Sequence, residues 1–372
     1  AYGFGYLLNY LVQNDAKLAA EIVSAADPVA IAKAFSHITL ETAYGLSDLM
    51  RSIGSARVKS WNERLLAALD RDHFLMLADT WSEPKDAFLY CYVCQAMDWW
   101  DENLALEMVE RFIPTAQAVL AADPVEGFRS LEDMAMSVLR VFDVLEVYVG
   151  ALAPDARRWA LARSMCAQLD PPAVARQVSN VRKRDLQSAA YFLHFLFRCA
   201  PRKFAAMLSH LNWDKLEATI GDELDYLSLE AEILLATLHA HPAGRAKLRE
   251  FVVGNLDRIE QFPPRLALLA PEAAVEHVSR GRPLRIAQHD HVDWMFGGAA
   301  LAIIEDARPD LLEAVLAPHE EHLAKAISSP NATFFDEAEP LVRLLVEKAP
   351  NVARRVFGKL DVAVAESGLA DC

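Results

Sequence analysis

The 372-residue sequence predicts an all-α protein, a right-handed α-solenoid of degenerate helix pairs, on three observations. The first is a phrase used twice: Ala25-Ala26-Asp27-Pro28-Val29 returns as Ala121-Ala122-Asp123-Pro124-Val125, with a thinner copy at Leu169-Asp170-Pro171-Pro172. Asp-Pro ahead of an apolar-periodic run starts a helix. The carboxylate accepts from free N–H groups of the first turn, and Pro at the first helical position loses no hydrogen bond. The second is spacing: Asp27 and Asp123 lie about two units of roughly 48 residues apart, and Asp170 follows one unit later. The third is composition. Hydrophobic residues make up 53%, Gly (14) and Pro (18) are sparse, and Ala, Leu, Glu and Arg, all good helix formers, dominate between them. Alternating β-branched and polar runs are missing, so almost no sheet is expected.

In chain order, the first helix is expected from Tyr6 to Val23. After Asp27-Pro28, Ile31, Ala34, Phe35 and Ile38 fall on one helical face. Leu46, Leu49, Met50 and Ile53 form a short apolar stripe between Gly45 and Gly54. Trp61 opens a helix through Leu69, and Asp70 or Asp72 marks the next start. A dense apolar helix is predicted over Lys85–Met97, followed by the corner Asp98-Trp99-Trp100-Asp101-Glu102. Leu104, Met108 and Phe112 carry the next face, which Pro114 breaks or re-caps. Phe128, Leu131, Ala135, Val138 and Phe142 keep one face for several turns. Later starts are expected at Asp170, Asp214, Asp257, Pro309-Asp310 and Pro350-Asn351. Their uneven spacing fits degenerate HEAT-like pairs of about 40–47 residues better than a tetratricopeptide period of about 34. No Ser-, Gly- or Pro-rich linker interrupts the text. One continuous array over 1–372 is therefore expected, with an irregular loop near 280–298 (Gly281, Pro283, Gly297, Gly298).

Charge and motif bound the function. Lys plus Arg (37) against Asp plus Glu (52) gives −15, which disfavours bulk nucleic-acid binding. No apolar run has the length of a bilayer span. Five scattered cysteines and no evident leader suit a cytoplasmic protein. Cys91 and Cys94, a Cys-x-x-Cys inside an apolar helix, are expected as buried small hydrophobes. P-loop, dinucleotide, nucleophile-elbow and His-Glu-x-x-His patterns are all absent, so no cofactor and no catalysis are expected within this stretch.

Three groups of residues remain. Arg182, Lys183, Arg184, Arg198, Arg202 and Lys203 crowd a stretch that holds only Asp185 against them, and Arg280, Arg282 and Arg285 fall in the irregular segment. Guanidinium suits bidentate recognition of acidic groups, so Arg182, Lys183, Arg184, Arg198, Arg280, Arg282 and Arg285 are the expected partner contacts, against the alternative of solvated repeat faces. Trp99 and Trp100 are either half-buried corner packing or, on a concave face, a binding hot spot. His289, His291 and Asp293, with Gln288 and Asp290 among them, have ligand chemistry for zinc or manganese if the loop converges them. His319 and His322 form a second pair. A polar loop is the alternative.

Asp27-Pro28, the run Ile38-Thr39-Leu40-Glu41-Thr42-Ala43-Tyr44-Gly45-Leu46-Ser47-Asp48-Leu49-Met50, and then Trp61 and Leu65-Leu66 resemble the helical-repeat region that follows the NTPase core of bacterial STAND ATPases, the antiviral members above all. The resemblance covers about the first third of the chain and rests on packing positions. It implies a non-catalytic sensor arm that binds a protein partner, such as a phage protein, with oligomerisation left to domains outside this stretch. A start at Ala1 in place of Met agrees with a piece of a longer polypeptide. The other readings are a free-standing α-solenoid scaffold, a metal-dependent hydrolase on the histidine loop, and a HEAT-like DNA glycosylase using Trp99, Trp100 and Asp101, which the charge of −15 opposes.

Overall fold

The computed structural model describes residues 2–56, 58–81, 83–141, 155–221, 228–288, 291–328 and 334–360. The protein is all-α, as its sequence predicts. Among the described residues the extended structure amounts to one antiparallel pair, β1 (Ala287–Gln288) and β2 (His291–Val292), with Ala287 opposite Val292, and a lone bridge between Phe262 and Leu284. The chain divides into two compact units, 1–212 and 213–372.

Unit 1 holds α1 (Tyr2–Asn14), α2 (Ala16–Ala25), α3 (Pro28–Phe35), α4 (Ala43–Ser55), α5 (Lys59–Ala68), α6 (Arg71–Thr80), α7 (Ala87–Asp98), α8 (Glu102–Ala122) and α9 (Pro124–Asp133). After a π-helical turn, Met134–Val138, come α10 (Ala156–Met165), α11 (Pro171–Ser179), α12 (Leu186–Cys199) and α13 (Pro201–Leu208). The repeated phrase does what its chemistry requires: Asp27 accepts from the Val29 N–H at 3.0 Å, Asp123 from Glu126 at 3.1 Å and Asp170 from Ala173 at 3.2 Å. Asp70 and Asp101 cap α6 and α8 in the same way.

Along one row of this unit α1 packs on α4, α4 on α7, α7 on α9 and α9 on α12; separately α3 packs on α5, and α6 and α10 pack on α8, which also packs on α7. Their core is aromatic: Tyr90 stacks on Phe112 with ring centroids 4.2 Å apart, its hydroxyl donating to the Met108 carbonyl, and Phe128 meets Phe192 and Phe195. Burying such rings stabilises each by several kcal/mol, on the order of 25 cal/mol per Å² of apolar surface.

Two boundaries differ from expectation. The helix expected over Tyr6–Val23 is two, because Asp15 interrupts it and caps α2 through the Leu18 N–H. Pro114 does not break α8, which runs straight through it, with Met108, Val109, Phe112 and Ala116 holding the helix in the core on either side. Phe142 lies outside the described residues.

Unit 2 contains α14 (Trp213–Ile220), α15 (Leu229–Ala240), α16 (Pro242–Gly254), α17 (Pro264–Leu269), α18 (Pro271–Ser279), α19 (Trp294–Ala307), α20 (Leu312–Leu316), α21 (Glu320–Ser328), α22 (Phe334–Lys348) and α23 (Pro350–Phe357). Here α15 packs on α17, α17 on α19, and α19 on α22. The irregular segment ends at Asp293, earlier than expected. Gly297 and Gly298 sit inside α19, where a Cβ on Gly298 would lie 3.3 Å from the Leu341 backbone nitrogen, so the glycine serves a close helix crossing. Asp257, expected to start a helix, lies in a single 3₁₀ turn and pairs with Arg280 instead.

Candidate recognition groove

The first row of unit 1 carries an open groove of about 840 Å³. Four elements supply its walls: Gly5, Tyr6 and Asn9 of α1; Tyr44, Asp48, Arg51, Ser52 and Ser55 of α4; Tyr92, Gln95 and Asp98 of α7 with Trp99 just after it; and Ser137 and Arg140 beyond α9. On α4 and α7 these positions recur every three or four residues, so each helix turns one polar face to the groove and its apolar face to the core. Gly5 lets α1 settle on α4: a Cβ there would stand 3.1 Å from the Leu49 nitrogen, and the Ser52 hydroxyl donates to the Gly5 carbonyl at 2.9 Å.

Two charge pairs organise the floor. Asp48 Oδ1 accepts from Arg51 at 2.5 Å and from the Tyr92 hydroxyl at 2.7 Å, while Arg51 also donates to the Tyr92 oxygen. Burial and the bond to Asp48 push the Tyr92 phenol well up, so it stays protonated and donating. The Tyr92 ring stacks on Tyr44, centroids 4.9 Å apart and nearly parallel, and the Arg51 guanidinium lies 4.9 Å from its centre. Gln95 donates to Ser137 at 2.8 Å. At the far end Arg140 donates to Asp98 at 2.9 Å. Burial raises the Asp98 carboxyl, opposed by Arg140 and by Arg158, whose Nη2 lies 3.6 Å from Asp98 Oδ1. Arg158 is itself buried. It also pairs with Glu102 and Asp155 and donates to the Val138 carbonyl, which ties α7, α8 and α10 together behind the groove.

Arg140 has φ +51°, in the left-handed region that a Cβ disfavours. It closes the π-helical turn: Leu139 N–H bonds to Met134 O five residues back and, past Arg140, Val141 N–H bonds to Ala135 O six residues back. The bend aims the Arg140 side chain back at Asp98.

The residues singled out from the sequence fall in different places. Trp99 stands at the groove, 58% exposed. Trp100 points the other way, its indole N–H donating to Met50 O beside Gly54 and its ring 6.5 Å from Trp61. Arg182, Lys183 and Arg184 are exposed on a short turn before α12. Arg182 and Arg184 share a second opening of about 750 Å³ with Arg129, and Asp123, Glu126 and Asp185 balance their charge. Arg198 lies over the Trp159 ring. In unit 2, Arg280 binds Asp257 at 2.9 Å and Glu276 at 3.1 Å, and Arg282 donates to the carbonyls of Leu256 and Ile259. The Arg285 N–H donates to Phe262 O.

His289 lies outside the described residues, and His291 belongs to β2. Asp293 caps α19 through the Phe296 N–H. His319 is buried with Nε2 2.8 Å from Leu284 O, and Glu320 beside it takes Arg355 and Lys359. Among the described residues no three His, Cys, Asp or Glu side chains come together as metal ligands would, and no helix is long and apolar enough to cross a membrane. Cys91, Cys94, Cys166 and Cys199 are buried free thiols, and burial pushes all four up, Cys166 to about 12.

The sequence reading missed Asp48, Arg51, Tyr92, Gln95 and Arg140. A signal for them existed: Tyr92, Gln95 and Asp98 are polar positions three apart in an otherwise apolar α7, and Asp48 and Arg51 repeat that spacing on α4. Comparison with protein-family models, with curated proteins and with solved structures finds no match for this chain.

Proposed function

We propose that the chain is a non-catalytic recognition module that holds a segment of a protein partner in the groove of unit 1. In this reading the helix rows continue as a right-handed α-solenoid, and the chain acts as the sensor arm of a STAND-type NTPase that answers to a foreign protein. One observation carries the proposal. Side chains from α1, α4, α7 and the turn after α9 converge on one open, polar, aromatic-rimmed surface, while α4 and α7 bury their other faces in residues such as Met50, Ile53, Tyr90 and Val93. Such a surface, built across successive packed helices, suits an extended ligand and supplies Trp, Tyr and Arg, the residue types that dominate binding energy at interfaces.

The test is selection of a random peptide display library on the whole chain, with each binder re-measured against the double variant Trp99→Ala/Arg51→Ala. Binders that weaken at least tenfold on the variant are expected. A library that yields none dependent on these two residues would sink the recognition reading. Trp99 is exposed and Arg51 half-buried in the groove floor, so far-ultraviolet dichroism and the urea midpoint check that the double variant keeps its fold.

A further inference from the structure

The groove's own charge distribution selects among occupants. Its two carboxylates lie beneath its two arginines: Asp48 is 19% exposed against 33% for Arg51, and Asp98 is 10% exposed against 54% for Arg140. Both acids are also already engaged, Asp48 by Arg51 and Tyr92, and Asp98 by Arg140 with Arg158 close behind. Glu102 and Asp155, the other partners of Arg158, do not line the groove. What meets an incoming chain is therefore the Arg140 guanidinium and the exposed third of Arg51, which also bonds Gln95, set among exposed faces of Tyr6, Tyr44 and Trp99. Arg140 reaches Asp98 through a single Nη2 donor, which leaves one two-pronged edge of its guanidinium for a second, forked acceptor. Asp98 keeps Arg158 beside it if Arg140 swings toward a ligand.

Resting on the recognition reading above, we propose that the groove takes an acidic–aromatic peptide segment: a Glu or Asp side chain forked by Arg140, a second carboxylate at Arg51, and an aromatic side chain between them against Trp99. A basic segment is the natural rival, because exposed Tyr and Trp faces attract cations and the chain carries −15 overall. Two facts decide against it. Within the groove a cation meets Arg51 and Arg140 first, and like-charge repulsion at contact exceeds a cation–π attraction at an exposed ring. The overall charge acts at a distance, where salt screens it beyond about 8 Å at physiological ionic strength.

The experiment compares three fluorescein-labelled peptides with identical Gly-Ser flanks and the cores Glu-Glu-Trp-Glu-Glu, Gln-Gln-Trp-Gln-Gln and Lys-Lys-Trp-Lys-Lys, titrated with the whole chain by fluorescence polarisation. The acidic core is expected to bind at least tenfold tighter than the neutral one and the basic core weakest. Arg140→Gln should cost the acidic core about tenfold while leaving the neutral core within twofold, and Trp99→Ala should weaken both. Arg129→Gln, which removes a guanidinium from the second opening, should leave all three unchanged. Equal or tighter binding of the basic core, or indifference of the acidic core to Arg140→Gln, overturns the proposal. Display selection separates the two levels. Groove-dependent binders without acidic residues overturn this inference and leave the recognition reading standing, whereas the absence of any groove-dependent binder removes both.

Discussion

Units 1 and 2 start their helices differently: aspartate supplies the side-chain caps described in unit 1, whereas unit 2 uses Ser228, His241 and Asp293. In unit 1 aspartates cap the starts: Asp15, Asp27, Asp70, Asp101, Asp123, Asp155 and Asp170 each accept from first-turn N–H groups. In unit 2 α17, α18 and α23 begin at Pro with no side-chain cap, and cations hold the connections: Arg282 on the carbonyls of Leu256 and Ile259, Arg280 on Asp257, Arg308 on Asp310 and Ser279. Arg51 and Arg140 line the groove while each is paired, Arg51 with Asp48 and Arg140 with Asp98. Cationic tethering leaves Arg280, Arg282 and Arg308 occupied.

The largest contrast in stability is expected between Arg158 and Arg280. Replacing buried Arg158 by Met leaves the Val138 carbonyl without its donor and Asp98 with Arg140 alone, and a cost of about 3 kcal/mol is expected from urea unfolding. Arg280→Met removes an exposed pair and should cost below about 1 kcal/mol. Equal costs would erase the distinction between the two uses of arginine.

A smaller effect comes from one buried histidine in each unit. Burial first, then Arg282, holds His277 down to about 4, and burial first, then Arg198, does the same to His194. The folded protein refuses a proton that the unfolded chain takes below about 6.5, so stability is intact above that pH and is lost as pH falls toward 4. Between pH 7 and 5 each site should cost about 2 kcal/mol. His277→Leu and His194→Leu should each flatten the fall of the unfolding midpoint over that interval. An unchanged slope in both variants would place the acid sensitivity elsewhere.

The smallest effect isolates the backbone at Arg140. Arg140→Gly and Arg140→Ala lose the same pair with Asp98, but only Ala keeps the left-handed strain, so the Gly variant should be the more stable by about 1 kcal/mol in urea. Parity would mean that Arg140 leaves φ > 0 once its side chain is gone.

Helices were legible wherever a cap, a proline and an apolar period coincided, as at Asp27-Pro28 and Asp123-Pro124. They were misread where a single side chain overrode the pattern. Asp15 splits an apolar run because its carboxylate satisfies the Leu18 N–H, and Pro114 is tolerated because core packing on both sides outweighs one missing hydrogen bond. Trp99 was legible as a candidate and its neighbour Trp100 was indistinguishable from it. A one-residue step turns a helical side chain by about 100°, and only the path of α7 into α8 says which ring meets solvent.

By itself the sequence determined that the protein is helical and where most helices begin, because capping and periodicity are local: a carboxylate reaches an N–H three residues on whatever the rest of the chain does. Only the tertiary structure decided which polar faces meet. Asp48 and Tyr92, or Asp98 and Arg140, are more than forty residues apart in the chain and become partners through the packing of α4 on α7 and the turn after α9. Whether an arginine is tied down or presented depends on those long-range neighbours, and no local pattern encodes them.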